Sequence, residues 1–321
     1  MNPNENFGEL LATTLRNYRE QLIDNIFDSS PLFFRLRQGA RKLTGGKSIV
    51  EHLQYGKNPN TGSYSRWDAL PMVEGEIIDA VEFNWKQYAG SVVIAGIDMR
   101  NNKGKHAMIE LLKARIQNCE DSMVDELNEM LYKDGTGNDG KDLSGLEAIV
   151  NDSGTLAGID RSAHEWWRAQ IRSLAAETVT WGGDNDTMLG FMRNMYNRCT
   201  RGKKRKTPDV IIMTQDDFEE YEGVFVPKQR YVQNDLADAG FDALEFKKTP
   251  VVWDRDNPAN EMQFLNSNHV RLCYHEDAFF HVTPLTKPYN QDGVGNHILL
   301  QGELTTNQSR VSGRLTNTQG T

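Results

Sequence analysis

The chain has 321 residues, enough for about two domains and a sizeable core, and its 38% hydrophobic and 25% charged residues describe a polar globular protein. A net charge of -9 and a pI near 5.4 exclude global wrapping of nucleic acid, so any such contact has to be local. Three scattered cysteines without a CxxC exclude a thiolate metal cluster or redox motif and point to a reducing compartment; the absence of a leader and of a ~20-residue apolar run points to a soluble protein made in a cytoplasm.

Residues 1–42 carry short amphipathic pieces. Leu11, Leu15, Tyr18, Leu22 and Ile26 recur at helical spacing, and SSPLFFRLRQG mixes Leu32, Phe33, Phe34 and Leu36 with Arg35, Arg37 and Arg41. No self-contained core is visible, so the segment reads as an arm that packs on something else.

Residues 47–95 read as β. KSIVEHLQY and EFNWKQYAGSVVIA flank QYGKNPNTGSYSRWDALP, and Val81, Phe83 and Trp85 alternate with Glu82 and Asn84. The polar run between the strands is far longer than the two to five residues of an ordinary hairpin turn.

KHAMIELLKARIQNCEDSMVDELNEMLYKDG has no proline and no internal glycine before Gly135. Met108, Leu112, Ile116, Cys119, Met123, Leu127 and Leu131 form one stripe at spacings of three and four, and Gly135 is placed to stop the helix. At 1.5 Å per residue it extends on the order of 40 Å. A coiled coil is the structural rival, but the stripe is short and lies between β segments.

The remainder alternates strand and helix. LSGLEAIV and RSAHEWWRAQIRSLAAE both open with S-x-x-E, at Ser144/Glu147 and Ser162/Glu165, the pattern of a capping box. DTMLGFMRNMYNRCTRG predicts a helix capped near Asp186 and stopped near Gly202. PDVIIMT is a buried strand, TQDDFEEYEG a helix capped by Thr214, FKKTPVVWDRD a strand, and MQFLNSNHVRLCYH a hairpin around Asn266–Asn268. HILLQGELTTNQSRVSGRLTN closes the chain with two strands and a tail. From 141 to 275 this is an α+β or α/β module.

The motifs that would carry chemistry fail on inspection. YKDGTGNDGKD, counted from Asp134, has Asp139 where a calcium loop needs glycine and Gly145 where it needs glutamate. His269, His275 and His281 lie six apart, which suits neither a helix face nor a zinc finger. The Gly-Gly pairs at 45–46 and 182–183 are not phosphate loops, and no nucleophile elbow, H-E-x-x-H or Walker motif occurs. No catalytic constellation, cofactor or metal site is expected. Cys119 and Cys273 read as small buried hydrophobes, and Trp166 and Trp167 as core or subunit-contact residues rather than a sugar platform. RGKKRK, with Lys203, Lys204, Arg205 and Lys206, is a basic loop: solvated, or facing an acidic partner, or on nucleic acid.

The order of parts, together with TTLRNYREQLIDNIFDSSPLFFRL, GGKSIVEHLQYG, the GID..AHEWWR segment, KTPVVWD and ILLQGELTTNQSRVSGRLTN, resembles the major capsid proteins of tailed bacteriophages, the Hong Kong 97 phage fold. The resemblance implies an α+β capsid fold with residues 1–45 as the N-terminal arm and 46–90 as the extended β E-loop. It implies 91–140 as the peripheral P-domain with its spine helix, 141–275 as the axial A-domain, and 276–321 as P-domain return strands and tail. It implies a non-enzymatic, self-assembling icosahedral shell of hexamers and pentamers enclosing double-stranded DNA in a virion, made in a bacterial cytoplasm. Separate scaffolding and portal proteins and a decoration protein are implied partners. An encapsulin-like compartment is the rival within the fold; a nucleic-acid-binding protein using residues 201–206 is the rival outside it. On the capsid reading Tyr55, Tyr64, Trp67 and Leu70 are apolar intersubunit contacts of the loop, Lys57 and Arg66 its charged ones, and Phe33 and Phe34 contacts of the arm.

Overall fold

A computed structural model describes residues 30–56, 58–101, 105–175, 187–200, 207–225 and 243–318. It is an α+β fold built on two sheets. The first is organised by strand β14 (Gly293–Thr306), the longest strand described. Along one edge β14 pairs antiparallel with β4 (Lys86–Ala95) over Gly293–Gly302. Along the other edge it pairs with β12 (Val270–His275) and the short β13 (His281–Val282), and β1 (Arg41–Leu43) adds to β12 in parallel.

The second sheet has six strands, in spatial order β7 (Gln170–Ser173), β15 (Gly313–Thr316), β11 (Glu261–Leu265), β8 (Val210–Met213), β10 (Thr249–Trp253) and β9 (Ala243–Phe246). Two helices, Met188–Cys199 and Gln215–Phe225, accompany it.

The long helix spans Lys105–Tyr132, close to the expected extent. Ile116, Met123, Leu127 and Leu131 of the stripe are buried and Cys119 is half-buried; the side chains of Met108 and Leu112 lie outside the described residues. Gly135, at φ 78, follows the helix in the left-handed conformation glycine adopts without strain. Met123, Leu127, Leu131 and Tyr132 share one core with Ile298, Leu300 and Leu304 of the first sheet and with Val210, Ile212 and Val252 of the second. The intervening side chains Ile211, Met213 and Val251 point the other way, into a separate core with Phe191, Met192, Met195 and Tyr221. The second sheet is therefore apolar on both faces, which is why VIIM is a continuous rather than alternating run.

Helix and first sheet meet closely at Gly90. A Cβ there would fall 2.5 Å from Met123 Sδ and 2.8 Å from Cys119 Sγ, so any other residue would force these side chains to shift. A buried carboxylate ties the long helix to the second sheet as well. Asp254, just after β10, accepts from Tyr132 Oη at 2.9 Å and from Ser30 Oγ at 2.5 Å. Ser30 Oγ also accepts from Leu32 N, capping the helix Pro31–Gly39.

Several expectations are corrected. The part of the arm that is described has no separate core but packs on the body of its own chain: Leu32, Phe33 and Leu36 of the Pro31–Gly39 helix are buried against the long helix and first sheet. Neither S-x-x-E sequence forms a capping box. Ser144 N donates to the Glu303 carboxylate instead, and the short turn Leu146–Ile149 starts from Gly145. Ser162 N is taken by Asp160 Oδ1, and EWW makes only one 3-10 turn before the chain enters β7. Pairing of β7 with β15 outcompetes the local helical signal. The helix expected to be capped near Asp186 is capped by Thr187, whose Oγ1 accepts from Gly190 N.

Asn266–Asn268 does not close a hairpin. Asn266 Oδ1 accepts from Asn268 N and Asn266 Nδ2 reaches Thr207 O, so the turn carries the chain from β11 in one sheet to β12 in the other. The segment FKKTPVVW is a hairpin rather than one strand, with Lys247 and Lys248 at φ 49 and 68 forming its two-residue turn. β12 belongs to the first sheet, and β15 returns to the second. The Thr214 cap and the two closing strands are as expected.

Candidate functional site

The long run between β2 (Ile49–Gln54) and β3 (Ile78–Phe83) is an extension of a two-stranded hairpin. Alternation in β2 turns Ile49, Glu51 and Leu53 inward, where Ile49, Leu53, Val81 and Phe83 pack with Leu156, Trp167 and Cys273 in a small third core. Glu51, buried among these strands, is held by Arg41 Nη1 at 3.2 Å and Thr305 Oγ1 at 3.4 Å. At the outer end of the stem, Tyr55 stacks on Trp166 with ring centroids 4.6 Å apart.

Beyond that stack the loop leaves the body. Residues 58–74 are all exposed. Tyr64 is 70% exposed, Trp67 92%, Leu70 62% and Met72 95%, a run of large uncovered apolar side chains of the kind that marks an interaction surface. The tip nevertheless has a defined shape. Asn60 Nδ2 donates to Val73 O and Asn60 Oδ1 accepts from Val73 N, both at 2.8 Å. Ser65 N donates to Asp68 Oδ2 at 2.7 Å and Asp68 N to Ser65 O at 3.1 Å, closing a turn with Trp67 at its third position.

A second surface feature lies between β4 and the long helix. A groove of about 380 Å³ is lined by Tyr88–Val93 together with Arg115, Cys119, Met123 and Glu126. Tyr88 Oη donates to Glu126 at 2.7 Å across one end of it. Val93, Ile97 and Tyr289 are further exposed hydrophobics.

Three buried or half-buried acids have carboxyls raised above the usual range by burial: Glu303 to about 7, and Asp217 and Glu261. Each has a structural partner: Glu303 the amides of Ser144 and Leu304, Asp217 the Thr318 hydroxyl, and Glu261 Arg314. Among the described residues no three His, Cys, Asp or Glu side chains gather as a metal site, and no helix is long and apolar enough to cross a membrane.

Of the residues singled out in the sequence, Tyr64, Arg66, Trp67 and Leu70 stand together on the exposed tip. Tyr55 is engaged within the chain. Phe33 is buried in the main core and Phe34 packs half-buried against it, so Phe33 is not a surface contact. Lys57, Lys203, Lys204, Arg205 and Lys206 lie outside the described residues. Met72, Val73 and Ile78 were not singled out, although LPMVEGEII carries an apolar excess in an otherwise polar loop.

No family model and no curated protein matches the chain. Solved structures do. The chain is similar to the capsid asymmetric unit of cyanophage A-1(L), at 17% identity over 89% of this chain and 92% of that one, with a TM-score of 0.65. It is similar to the capsid of a native GTA particle, at 13% identity over 88% of this chain and 89% of that one, TM-score 0.60. It is also similar to the SrpI encapsulin of Synechococcus elongatus, at 8% identity over 88% and 86% of the two chains, TM-score 0.55. The likeness is one of fold: this chain has the Hong Kong 97 type of capsid fold.

Proposed function

We propose that the chain is the major capsid protein of a tailed bacteriophage, a subunit that assembles with many copies of itself into an icosahedral shell around double-stranded DNA. The observation that carries this reading is a capsid fold matched over nearly the whole of both chains, joined to a shaped loop whose apolar tip the subunit itself leaves uncovered. The first sheet and long helix correspond to the P-domain, the second sheet to the A-domain, and the β2–β3 extension to the E-loop. Tyr64, Arg66, Trp67 and Leu70 then make contacts between subunits, and Met72 joins them.

A shell subunit has to bury little alone and much between copies, since affinity comes from the surplus of buried apolar area over ordering cost. Closed shells use heterologous contacts, in which one patch meets a different patch on the next copy. An acidic subunit suits a container whose inner face does not hold DNA tightly. Scaffolding, portal and decoration proteins are the further partners this reading implies, with the virion as location and the bacterial cytoplasm as place of synthesis.

Electron microscopy of the purified protein tests the reading: closed particles are expected, and dispersed monomers at every concentration would overturn it. The likeness to an encapsulin favours a second reading, a protein-filled cellular compartment. Nuclease-protected DNA in particles from the native source supports the phage head; particles holding cargo protein and no DNA support the compartment.

A further inference from the structure

The loop tip is joined to the body through two legs that touch along their length. A Cβ on Gly56 would fall 2.7 Å from Glu76 O, and one on Gly75 would fall 2.9 Å from Pro59 Cδ. Above these contacts the legs would separate, because residues 58–74 are all exposed and no strand ladder continues there. The Asn60 side chain closes them. Its amide presents one donor and one acceptor to the donor and acceptor of Val73, the same two-bond exchange that a backbone rung of an antiparallel ladder makes. Asn60 N in turn donates to Asn58 Oδ1 at 2.9 Å and Thr61 Oγ1 to Asn58 O at 3.0 Å, which fixes the turn that aims Asn60 across the loop. Within the enclosed residues 61–72, the reciprocal Ser65–Asp68 pair sets the turn that displays Trp67.

We infer that Asn60 and Asp68 are positioning residues that pre-shape the tip, so that Trp67 and its apolar neighbours meet a second copy of this chain without first paying the entropy of ordering the loop. The inference rests on the proposed function, which makes the tip a contact between copies. The tip carries no core of its own to hold this shape, and these hydrogen bonds contribute nothing to the hydrophobic cores of the body. Their effect therefore falls on association rather than on folding. Aromatic anchors held in one conformation before contact are the residues on which interface affinity concentrates.

The experiment compares Asn60→Ala, Asp68→Ala, Asn60→Asp and Trp67→Ala with the unaltered full-length protein. Light scattering gives the concentration at which particles form; thermal melting and amide exchange at Val73 and Ser65 are measured on dilute, unassembled subunit. Loss of two hydrogen bonds in Asn60→Ala should raise the assembly concentration about tenfold. Asp68→Ala should behave similarly, with melting unchanged and exchange faster at the freed amide. Asn60→Asp, which keeps the acceptor for Val73 N and loses the donor to Val73 O, should fall between. Trp67→Ala should impair assembly at least as much while leaving Val73 exchange slow. If Trp67→Ala assembles normally, the contact role of the tip fails and the inference with it. If Trp67→Ala impairs assembly but Asn60→Ala and Asp68→Ala do not, the contact role stands and pre-shaping is overturned. Unchanged exchange at Val73 in Asn60→Ala overturns it also.

Discussion

Glu303→Gln should flatten the pH dependence of the protein's stability. Glu303 lies in β14 with its side chain buried, and Oε1 accepts from Ser144 N at 2.8 Å and Leu304 N at 2.9 Å. Burial raises its carboxyl from 4.5 to about 7; the two amides and the nearby Lys86 charge oppose the shift without cancelling it. Between those two values the folded protein retains a proton that the unfolded chain has released. Stability from this group is therefore fully present below pH 4.5 and is lost as pH rises toward 7. At about 1.4 kcal/mol per pH unit, the change is on the order of 3 kcal/mol. Glu261 and Asp217, also raised by burial, add slopes of the same sign. Glutamine retains an oxygen for Ser144 N and cannot ionise. Urea unfolding of dilute protein at pH 5, 6, 7 and 8 should show a midpoint that falls across the series in the unaltered chain and falls much less in the variant. Parallel profiles for the two proteins would refute the assignment of the proton to Glu303.

Gly90→Ala should cost about 1–3 kcal/mol, since its methyl group would meet Met123 Sδ at 2.5 Å; an unchanged urea midpoint would mean that helix and strand part at little cost. Asp254→Ala leaves the fully buried Tyr132 hydroxyl and Ser30 without their acceptor and should cost about 1–3 kcal/mol, most of it recovered when Tyr132→Phe is added; a second change that brings further loss argues against the carboxylate as their shared partner. Ile116→Asp places a charge against Val92 and Ile94 and should prevent a native fold, so a soluble variant with native circular dichroism and melting would show that this face is not buried.

The long helix was legible because its stripe has one period over many turns, and Ile116, Met123, Leu127 and Leu131 are buried as that period requires. The loop was legible as an excess of polar length, and Tyr64, Trp67 and Leu70 are as exposed as its setting between strands suggested. The S-x-x-E sequences misled because a capping signal is worth only about 1 kcal/mol, less than the strand pairing and buried carboxylate that claimed Ser144 and the segment after Ser162. Phe33 misled because hydrophobicity says that a residue will be covered, not by which chain.

By itself, the sequence determined which segments are helix and which are strand wherever periodicity was long, where glycine and asparagine turns interrupt them, and that no catalytic constellation is spelled out in consecutive residues. Those are local properties, decided by spacing and backbone preference. Tertiary structure alone decided which strands share a sheet. β11 and β12 are neighbours in sequence but lie in different sheets, while β7 and β15, far apart in sequence, lie side by side with Ile171 paired to Arg314. It also decided that Val210 and Ile211, adjacent on β8, serve two different cores, and that Trp67 is left uncovered while Trp167 is buried. Both outcomes depend on which surfaces remain available once the whole chain has folded, and residue spacing carries no record of that.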